Sequence, residues 1–240
     1  MEQLQIVFFT GAGISAESGL QTFRDSVDGL WNNYRIEDVC TPEAWDDNPE
    51  LVLGFYNQRR EQCLAAEPNE AHRLIAELDK EYIVTVVTQN IDDLHERAGS
   101  TNVIHLHGEI CKSRSSSNPK LIYDCKEKIT LGDLCEEASQ IRPHVVWFGE
   151  SLDEKKINES IAYTIACDIC VIVGSSLQVY PANGIPSFIS PESKLVLIDP
   201  NEVSQSFLDK REVFIIKEKA TKGLQIFYDS LKKQMSKIQE

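Results

Sequence analysis

Short apolar runs recur along the chain and are separated by segments with helical spacing. The runs that predict strands cover residues 4–9, 82–88, 103–106, 145–148, 169–173, 195–198 and 213–216. β-Branched residues are frequent in them, which is typical of parallel strands buried on both faces. The pattern therefore predicts an α/β fold with a Rossmann-like, doubly wound parallel sheet.

Two segments interrupt this pattern. Residues 36–80 have apolar side chains at helical spacing, and residues 109–143 are polar and rich in serine. We therefore predict a Rossmann-like domain formed by residues 1–35, 81–108 and 144–240, with a helical insertion at 36–80. The smaller insertion at 109–143 is expected to be irregular. Apolar spacing over residues 224–238 predicts a closing helix.

The chain is strongly acidic, with 24 basic and 38 acidic residues among 240 and a net charge of −14. Because phosphate binding needs clustered lysine and arginine, we expect neither nucleic acid nor an anionic membrane as a partner. Residues 36–80 contain eleven acidic and four basic residues, so half of the net charge lies there. This segment should attract basic, lysine-rich protein surfaces.

The sequence also predicts a cytoplasmic protein. Its longest uncharged stretch, residues 169–191, contains too many polar residues and prolines to form a membrane-spanning helix. The first residues carry no basic lead, so we expect no signal peptide. Seven cysteines, an odd number, indicate reduced thiols. We expect a monomer.

Polar residues follow five of the apolar runs. The first run leads into a glycine-rich turn at residues 11–15, and the others lead into residues 89–92, 107–108, 148–150 and 174–176. The carboxyl ends of parallel strands share one edge of a sheet, where ligands bind. Gly11 and Gly13 would let the backbone approach a pyrophosphate, although no third glycine follows at the usual spacing.

Five motifs carry a family resemblance: GAGISAESGLQTFRD at residues 11–25, TQNIDDLHERAG at 88–99, HG at 107–108, PHVVWFGE at 143–150 and GSSLQVYPA at 174–182. Together they resemble the sirtuins, the NAD-dependent protein-lysine deacylases, over nearly the whole chain. The resemblance implies that NAD is consumed, that acyl-lysine peptides or proteins are the partners, and that nicotinamide and O-acyl-ADP-ribose are released. Protein ADP-ribosyltransferase activity and a weakly catalytic NAD or ADP-ribose sensing module are alternative functions.

The resemblance assigns catalysis to His107 and Asn90. A histidine with a pKa of about 6.5 can accept a proton from a ribose hydroxyl near neutral pH. Asn90 and Asp92 match positions that hold the nicotinamide carboxamide, and Gln89 matches a position at the ribose. The structural alternatives are a histidine that ends a strand and an Asx-rich turn.

The remaining cofactor positions follow from the same motifs, with a diphosphate expected beside the two glycine-containing turns and a loop around Phe23 and Arg24 covering the nicotinamide end. Asp199 and Asn201 depart from the family's usual Asn–apolar–Glu pattern at the adenosine end, and Ala220 could equally begin a helix. The full cofactor set is Gly11, Ala12, Gly13, Ser15, Ala16, Phe23, Arg24, Gln89, Asn90, Ile91, Asp92, Gly174, Ser175, Ser176, Asp199, Asn201 and Ala220.

In the family, residues matching 146–150 and 178–180 flank the substrate peptide, which adds between them as a strand. The positions expected to contact substrate there are Val146, Phe148, Gly149 and Val179, although these apolar side chains could equally belong to the core.

Tyr56 and Arg59 lie three residues apart in a predicted helix and therefore share a face. The pair resembles the signature of sirtuins that remove succinyl and malonyl groups, since a guanidinium and a phenol can bind a carboxylate. The alternative is a packed tyrosine beside a solvated arginine.

Most sirtuins hold a structural zinc ion with two Cys-x-x-Cys pairs, which need four soft ligands. Here the positions of the first pair are occupied by Ser115 and Asn118. The cysteines that the segment does contain, at 111, 125 and 135, form no pair. We therefore expect no metal. Cys167 and Cys170 have metal-site spacing but precede an apolar strand, so we interpret them as structural.

Overall fold

The computed structural model describes residues 3–20 and 34–236. In this part of the chain the strands are β1 (Gln5–Thr10), β2 (Ile83–Thr88), β3 (Val103–His105), β4 (Gly108–Ser115), β5 (Ile122–Asp124), β6 (Ile141–Val145), β7 (Ile169–Val173), β8 (Lys194–Ile198) and β9 (Phe214–Ile216). Six of them form a parallel sheet in the order β3-β2-β1-β7-β8-β9. The strand order reverses beside β1, which is where such sheets bind ligands.

The helices are α1 (Ile36–Val39), α2 (Pro42–Asp47), α3 (Pro49–Ala65), α4 (Glu70–Leu78), α5 (Leu94–Ala98), α6 (Glu154–Ala166) and α7 (Ala220–Ser236). Side chains that precede several helices bind their first free backbone N–H groups, as at Asn48 before α3 and Asn69 before α4. Within the described residues, no helix has the length and apolarity that a membrane crossing requires.

Successive side chains of β1 alternate between two hydrophobic clusters. Ile6 and Phe8 pack with residues of α4 and α7 on one face of the sheet, whereas Val7 and Phe9 pack with residues of β7 and α6 on the other. All four are buried. The sheet therefore has helices on both faces, which confirms the predicted α/β fold and its doubly wound parallel sheet.

The smaller sheet corrects two predictions. Strands β5, β4 and β6 form an antiparallel sheet, so residues 109–143 are not an irregular insertion. The strand predicted at 145–148 instead ends at Val145 and pairs with β4. The apolar alternation of β4 is hidden in the sequence because its buried positions include the polar side chains of Ser113 and Ser115.

Helices α1, α2 and α3 pack against the small sheet, with Phe55 and Tyr56 of α3 in one cluster with Ile110 and Trp147. The fourth helix of the predicted insertion, α4, packs on the parallel sheet. Its amphipathic pattern fits either neighbour, and only the tertiary structure distinguishes them. The division of the chain into domains stays a prediction.

Candidate functional site

A cleft of about 930 Å³ lies at the carboxyl ends of β1, β2, β7 and β8, facing α3 and the segment after β6. It is lined by every predicted site residue within the described part of the chain: Gly11, Ala12, Gly13, Ser15, Ala16, Tyr56, Arg59, Gln89, Asn90, Ile91, Asp92, His107, Val146, Phe148, Gly149, Gly174, Ser175, Ser176, Val179, Asp199, Asn201 and Ala220. Phe23 and Arg24 lie outside the described residues.

Two loops meet at the floor of this cleft. The backbone N–H of Gly13 donates to the carbonyl of Gly174 over 2.9 Å. A Cβ atom on Gly13 would lie 2.6 Å from the Cα of Gly174, and a Cβ atom on Gly11 would lie 2.7 Å from the carbonyl oxygen of Gly174. Gly174 itself has a φ of 58°, which favours glycine. Contact between the loops therefore requires glycine here, a reason the sequence did not indicate.

His107 is held in one orientation by the strand end beside it. Its Nδ1 atom lies 2.9 Å from the carbonyl oxygen of Gln89, to which only a protonated nitrogen can donate. The proton is thus on Nδ1, and Nε2 carries the lone pair. Burial lowers the pKa of His107, although its bond to Gln89 partly opposes this. The ring can therefore act as a neutral proton acceptor.

Asn90, Ser15 and Asp92 form a chain of hydrogen bonds. The Nδ2 atom of Asn90 donates to the Oγ of Ser15 over 3.1 Å, and that hydroxyl donates to Oδ2 of Asp92 over 3.0 Å. The three side chains are buried. Burial raises the pKa of Asp92 despite the hydrogen bonds that it accepts from Leu94 and Ser15. This chain fixes an amide and a carboxyl group within the cleft.

Gln89 joins two strand ends. Its Oε1 atom accepts a hydrogen bond of 2.8 Å from Ser175, after β7. Its Nε2 atom is buried and has no hydrogen-bond partner among the residues that the structure describes. A buried amide donor without a partner is costly, so this atom indicates a place for a ligand acceptor. The residues present therefore fit a polar ligand such as the ribose of NAD.

Tyr56 and Arg59 lie on the face of α3 that lines the cleft. The hydroxyl of Tyr56 lies 3.3 Å from Sγ of Cys40, and its ring lies 6.3 Å from that of Trp147. Burial raises the pKa of Tyr56 and lowers that of Arg59. Arg59 has intermediate exposure and lines the cleft, so it is not the fully solvated arginine of the structural alternative.

Trp147 is held by a charged pair that the sequence analysis did not single out. The guanidinium carbon of Arg142 lies 3.2 Å from the centre of the Trp147 ring. Glu150 accepts from Arg142 over 2.7 Å, from Arg114 over 3.0 Å and from the Trp147 backbone over 2.8 Å. Only the short motif containing Trp147 and Glu150 marked this region in the sequence.

The cleft mouth and the adenosine end differ in exposure. Phe148 is 46% exposed and Val179 is 37% exposed, so neither belongs to the core. Val146 is partly buried against the cluster that includes α6. At the other end, Asp199 accepts a 2.8 Å hydrogen bond from the backbone of Asn201, and Ala220 begins α7.

The position that corresponds to a structural zinc module carries hydroxyl groups. The thiol of Cys135 donates to the Oγ of Ser115 over 3.3 Å, and Asn118 donates its backbone N–H to the same oxygen over 3.2 Å. The hydroxyl of Ser115 and the amide of Asn118 are not among the Cys, His and carboxylate groups that hold structural zinc. Cys167 and Cys170 are buried in the core, in agreement with a structural role.

Another group of possible metal-binding atoms lies between α3 and the small sheet. The ligand atoms of Cys63, Asp93 and Cys111 all lie within 4.8 Å of one another. The side chain of Cys63 also lines the cleft. Sequence spacing could not reveal this group, because its members are 18 or more residues apart.

Comparison with known proteins identifies the family of this chain. The Sir2 family model matches residues 11–181. An NAD-dependent protein deacylase of Bacteroides thetaiotaomicron is 44% identical over 226 residues, covering 92% of this chain and 94% of that protein. One from Helicobacter pylori is 48% identical over 195 residues, covering 81% and 84%. A solved Sir2 homologue in complex with NAD has a TM-score of 0.86 at 35% identity, covering 97% of this chain and 91% of that one. This chain is therefore a member of the Sir2 family.

Proposed function

We propose that this protein is an NAD-dependent protein-lysine deacylase. The observation that carries the proposal is the oriented, neutral His107 in the same cleft as the Asn90–Ser15–Asp92 chain and the glycine loops. The relatives named as NAD-dependent protein deacylases support it. NAD supplies a ribose carbon that becomes electrophilic when nicotinamide leaves.

Each polar group has a distinct task in this proposal. Asn90 and Asp92 hold the carboxamide of nicotinamide, since an amide and a carboxyl group can match its donor and acceptor. The Nε2 atom of His107 takes the proton from a ribose hydroxyl. Gln89 binds the ribose through its buried Nε2 atom, while the loops around Gly13 and Gly174 lie beneath the diphosphate.

The protein substrate is proposed to lie between the segment after β6 and residues 178–180. The exposed side chains of Phe148 and Val179 offer apolar contacts at the cleft mouth, where a peptide could add as a strand. The acidic charge of residues 36–80 favours lysine-rich partners. We propose that nucleic acid and membranes are not partners, and that the protein works as a cytoplasmic monomer with reduced thiols.

The protein is proposed to remove acidic acyl groups as well as acetyl groups. Arg59 supplies a partly buried positive charge and Tyr56 a hydroxyl on the cleft face of α3. A guanidinium and a phenol can both donate hydrogen bonds to the carboxylate of a succinyl or malonyl chain. Cys40 and Trp147 lie beside Tyr56.

We also propose that the small sheet holds its shape without a zinc ion. The support is the set of hydrogen bonds at Ser115, which join Cys135 and Asn118 where soft ligands would otherwise be needed. Elemental analysis of the purified protein tests this. If zinc were found and were retained after substitution of both Cys125 and Cys135, those two thiols would be excluded as its ligands.

The decisive experiment compares matched acetyl-lysine and succinyl-lysine peptides in the presence of NAD. We expect nicotinamide release together with deacylated peptide and O-acyl-ADP-ribose. Transfer of ADP-ribose to protein with no deacylated lysine would instead favour the ADP-ribosyltransferase function. NAD binding without turnover of either peptide would favour a sensing module.

A further inference from the structure

Cys63, Asp93 and Cys111 come from three segments that meet beside the cleft. Cys63 lies in α3, Asp93 precedes α5, and Cys111 lies in β4. The thiol of Cys63 is 3.7 Å from Oδ1 of Asp93, and the three ligand atoms lie within 4.8 Å of one another. None of them has a task in the proposed deacylation.

Two guanidinium groups lie beside this group, together with the carboxylates of Asp92 and Asp93. Arg97 lies 3.7 Å from Oδ1 of Asp93 and donates to the carbonyl of Cys63 over 3.2 Å. Arg60 is buried next to the cysteines and donates to the carbonyl of Ile110 over 2.9 Å. Two guanidinium groups oppose the entry of a divalent cation, and they stabilise a thiolate. The charges therefore favour thiol chemistry over metal binding.

The two thiols are unequal. Proximity to Cys63 lowers the pKa of Cys111, and the charge of Arg60 acts in the same direction, whereas proximity to Cys111 and burial raise the pKa of Cys63. Cys111 is partly exposed, whereas Cys63 is buried. A partly exposed thiol of lowered pKa thus lies next to a buried thiol, which is the arrangement of a reactive cysteine and its resolving partner.

We propose that Cys63 and Cys111 are a redox-active dithiol, which a peroxide converts to a disulfide between α3 and β4. The Cys111 thiolate attacks one oxygen of hydrogen peroxide, so that an S–O bond forms, the O–O bond breaks and hydroxide leaves. The sulfur loses two electrons to the peroxide. Asp93 then takes the proton of Cys63, whose sulfur attacks that of Cys111. The S–O bond breaks, and the departing hydroxide takes the proton from Asp93 as water.

Because Cys63 lines the cleft, this disulfide would lie beside the cleft. Cys63 lies one turn after Arg59 on α3 and lines the same cleft. Ile110, next to Cys111, donates its backbone N–H to the carbonyl of Ile91 over 2.8 Å. The disulfide would therefore fasten the helix that carries Tyr56 and Arg59 to a strand already tied to the Gln89–Asp92 segment.

The test oxidises the purified full chain with hydrogen peroxide, blocks free thiols with an alkylating agent, and maps linked peptides by mass spectrometry without reduction. We expect a Cys63–Cys111 link that dithiothreitol reverses. Cys125→Ser is the matched control, because Cys125 directly follows β5 and donates its backbone N–H to the carbonyl of Cys111 over 2.8 Å. The link should persist in Cys125→Ser, and in Cys63→Ser we expect Cys111 to be oxidised to the sulfinic acid instead.

Three results would overturn the proposal. The first is a Cys111–Cys125 link in place of the expected one. The second is a Cys111 that stays reduced while exposed thiols are oxidised. The third is a tightly held metal that is lost on Cys63→Ser substitution. None of these readouts depends on deacylase activity, so the dithiol and the proposed function can fail separately.

Discussion

His107 donates its Nδ1 proton to the carbonyl oxygen of Gln89 over 2.9 Å, and this bond leaves Nε2 as the basic atom within the cleft. Replacing His107 by asparagine keeps a polar group of similar size but removes the base. We expect deacylation to fall by about 10²–10⁴-fold, the usual contribution of a general base. Product formation from an acyl-lysine peptide measures this, with NAD binding by calorimetry as the control. Loss of both together would indicate a folding defect.

The same histidine sets the expected pH dependence. Deacylation requires neutral His107, so the rate should fall when the ring is protonated at low pH. Because burial lowers the pKa of His107, we expect the acid limb of kcat/KM to lie below the ordinary histidine pKa of about 6.5. A rate profile from pH 5 upwards, with separate stability checks, measures it. An acid limb above this value would contradict the assignment.

Arg59 should distinguish acidic from neutral acyl groups. For Arg59→Met we expect desuccinylation to fall by roughly 100-fold with little change in deacetylation, since a charge-assisted pair contributes about 1.5–3 kcal/mol and 1.4 kcal/mol is tenfold. The neighbouring Arg60 binds Asn57 and the Ile110 carbonyl, so Arg60→Met should lower Tm and weaken both activities. Equal losses on both substrates in Arg59→Met would refute the acyl preference.

Gly13 should tolerate no side chain. A Cβ at this position would lie 2.6 Å from the Cα of Gly174, so Gly13→Ala must displace one of the loops. We expect about 1–3 kcal/mol of destabilisation, together with weaker NAD binding. Gly184→Ala is the control, because its Cβ would meet no atom within 4 Å. Urea unfolding and NAD titration measure both effects, and equal stability of the two variants would contradict the loop contact.

Glu150 should make stability depend on pH in acid. Burial raises its pKa, but the hydrogen bond and charge of Arg142 outweigh this and the net pKa is lowered. The carboxylate therefore stabilises the fold above its unfolded pKa of about 4.3, and this contribution is lost as pH falls through the folded pKa. Glu150→Gln should cost about 1.5–3 kcal/mol near neutral pH.

Urea unfolding at several pH values measures this difference for Glu150→Gln. The exposed Glu127→Gln variant serves as the control and should match the unchanged protein throughout. A gap between Glu150→Gln and the unchanged protein that stayed constant down to low pH would exclude the charged pair as its cause.

The sequence predicted the central sheet well, and the reason is physical. Strand β7 agrees with its apolar run at both ends, because burial on both faces demands apolar side chains throughout. Strand β4 was not predicted, since Ser113 and Ser115 satisfy their buried positions through hydrogen bonds or small size. Periodicity detects burial only where burial is apolar.

The candidate site divides in the same way. Residues at strand ends, such as Gln89 and His107, are predictable because parallel topology brings their positions to one edge. The contact of Cys40 with Tyr56 and that of Arg142 with Trp147 depend on how α3 and the small sheet pack. Sequence spacing contains no information on that packing, so these neighbours required the structure.

The interlocked glycine loops have a consequence for ligand affinity. Gly11 donates to the carbonyl of Val173 and Gly13 to that of Gly174, so folding itself fixes the relative position of the loops. A ligand that binds across them would lose its own freedom of motion but would not have to order these segments of the chain. Weak ligands that span the two loops should therefore bind with a smaller entropic penalty than they would at mobile loops.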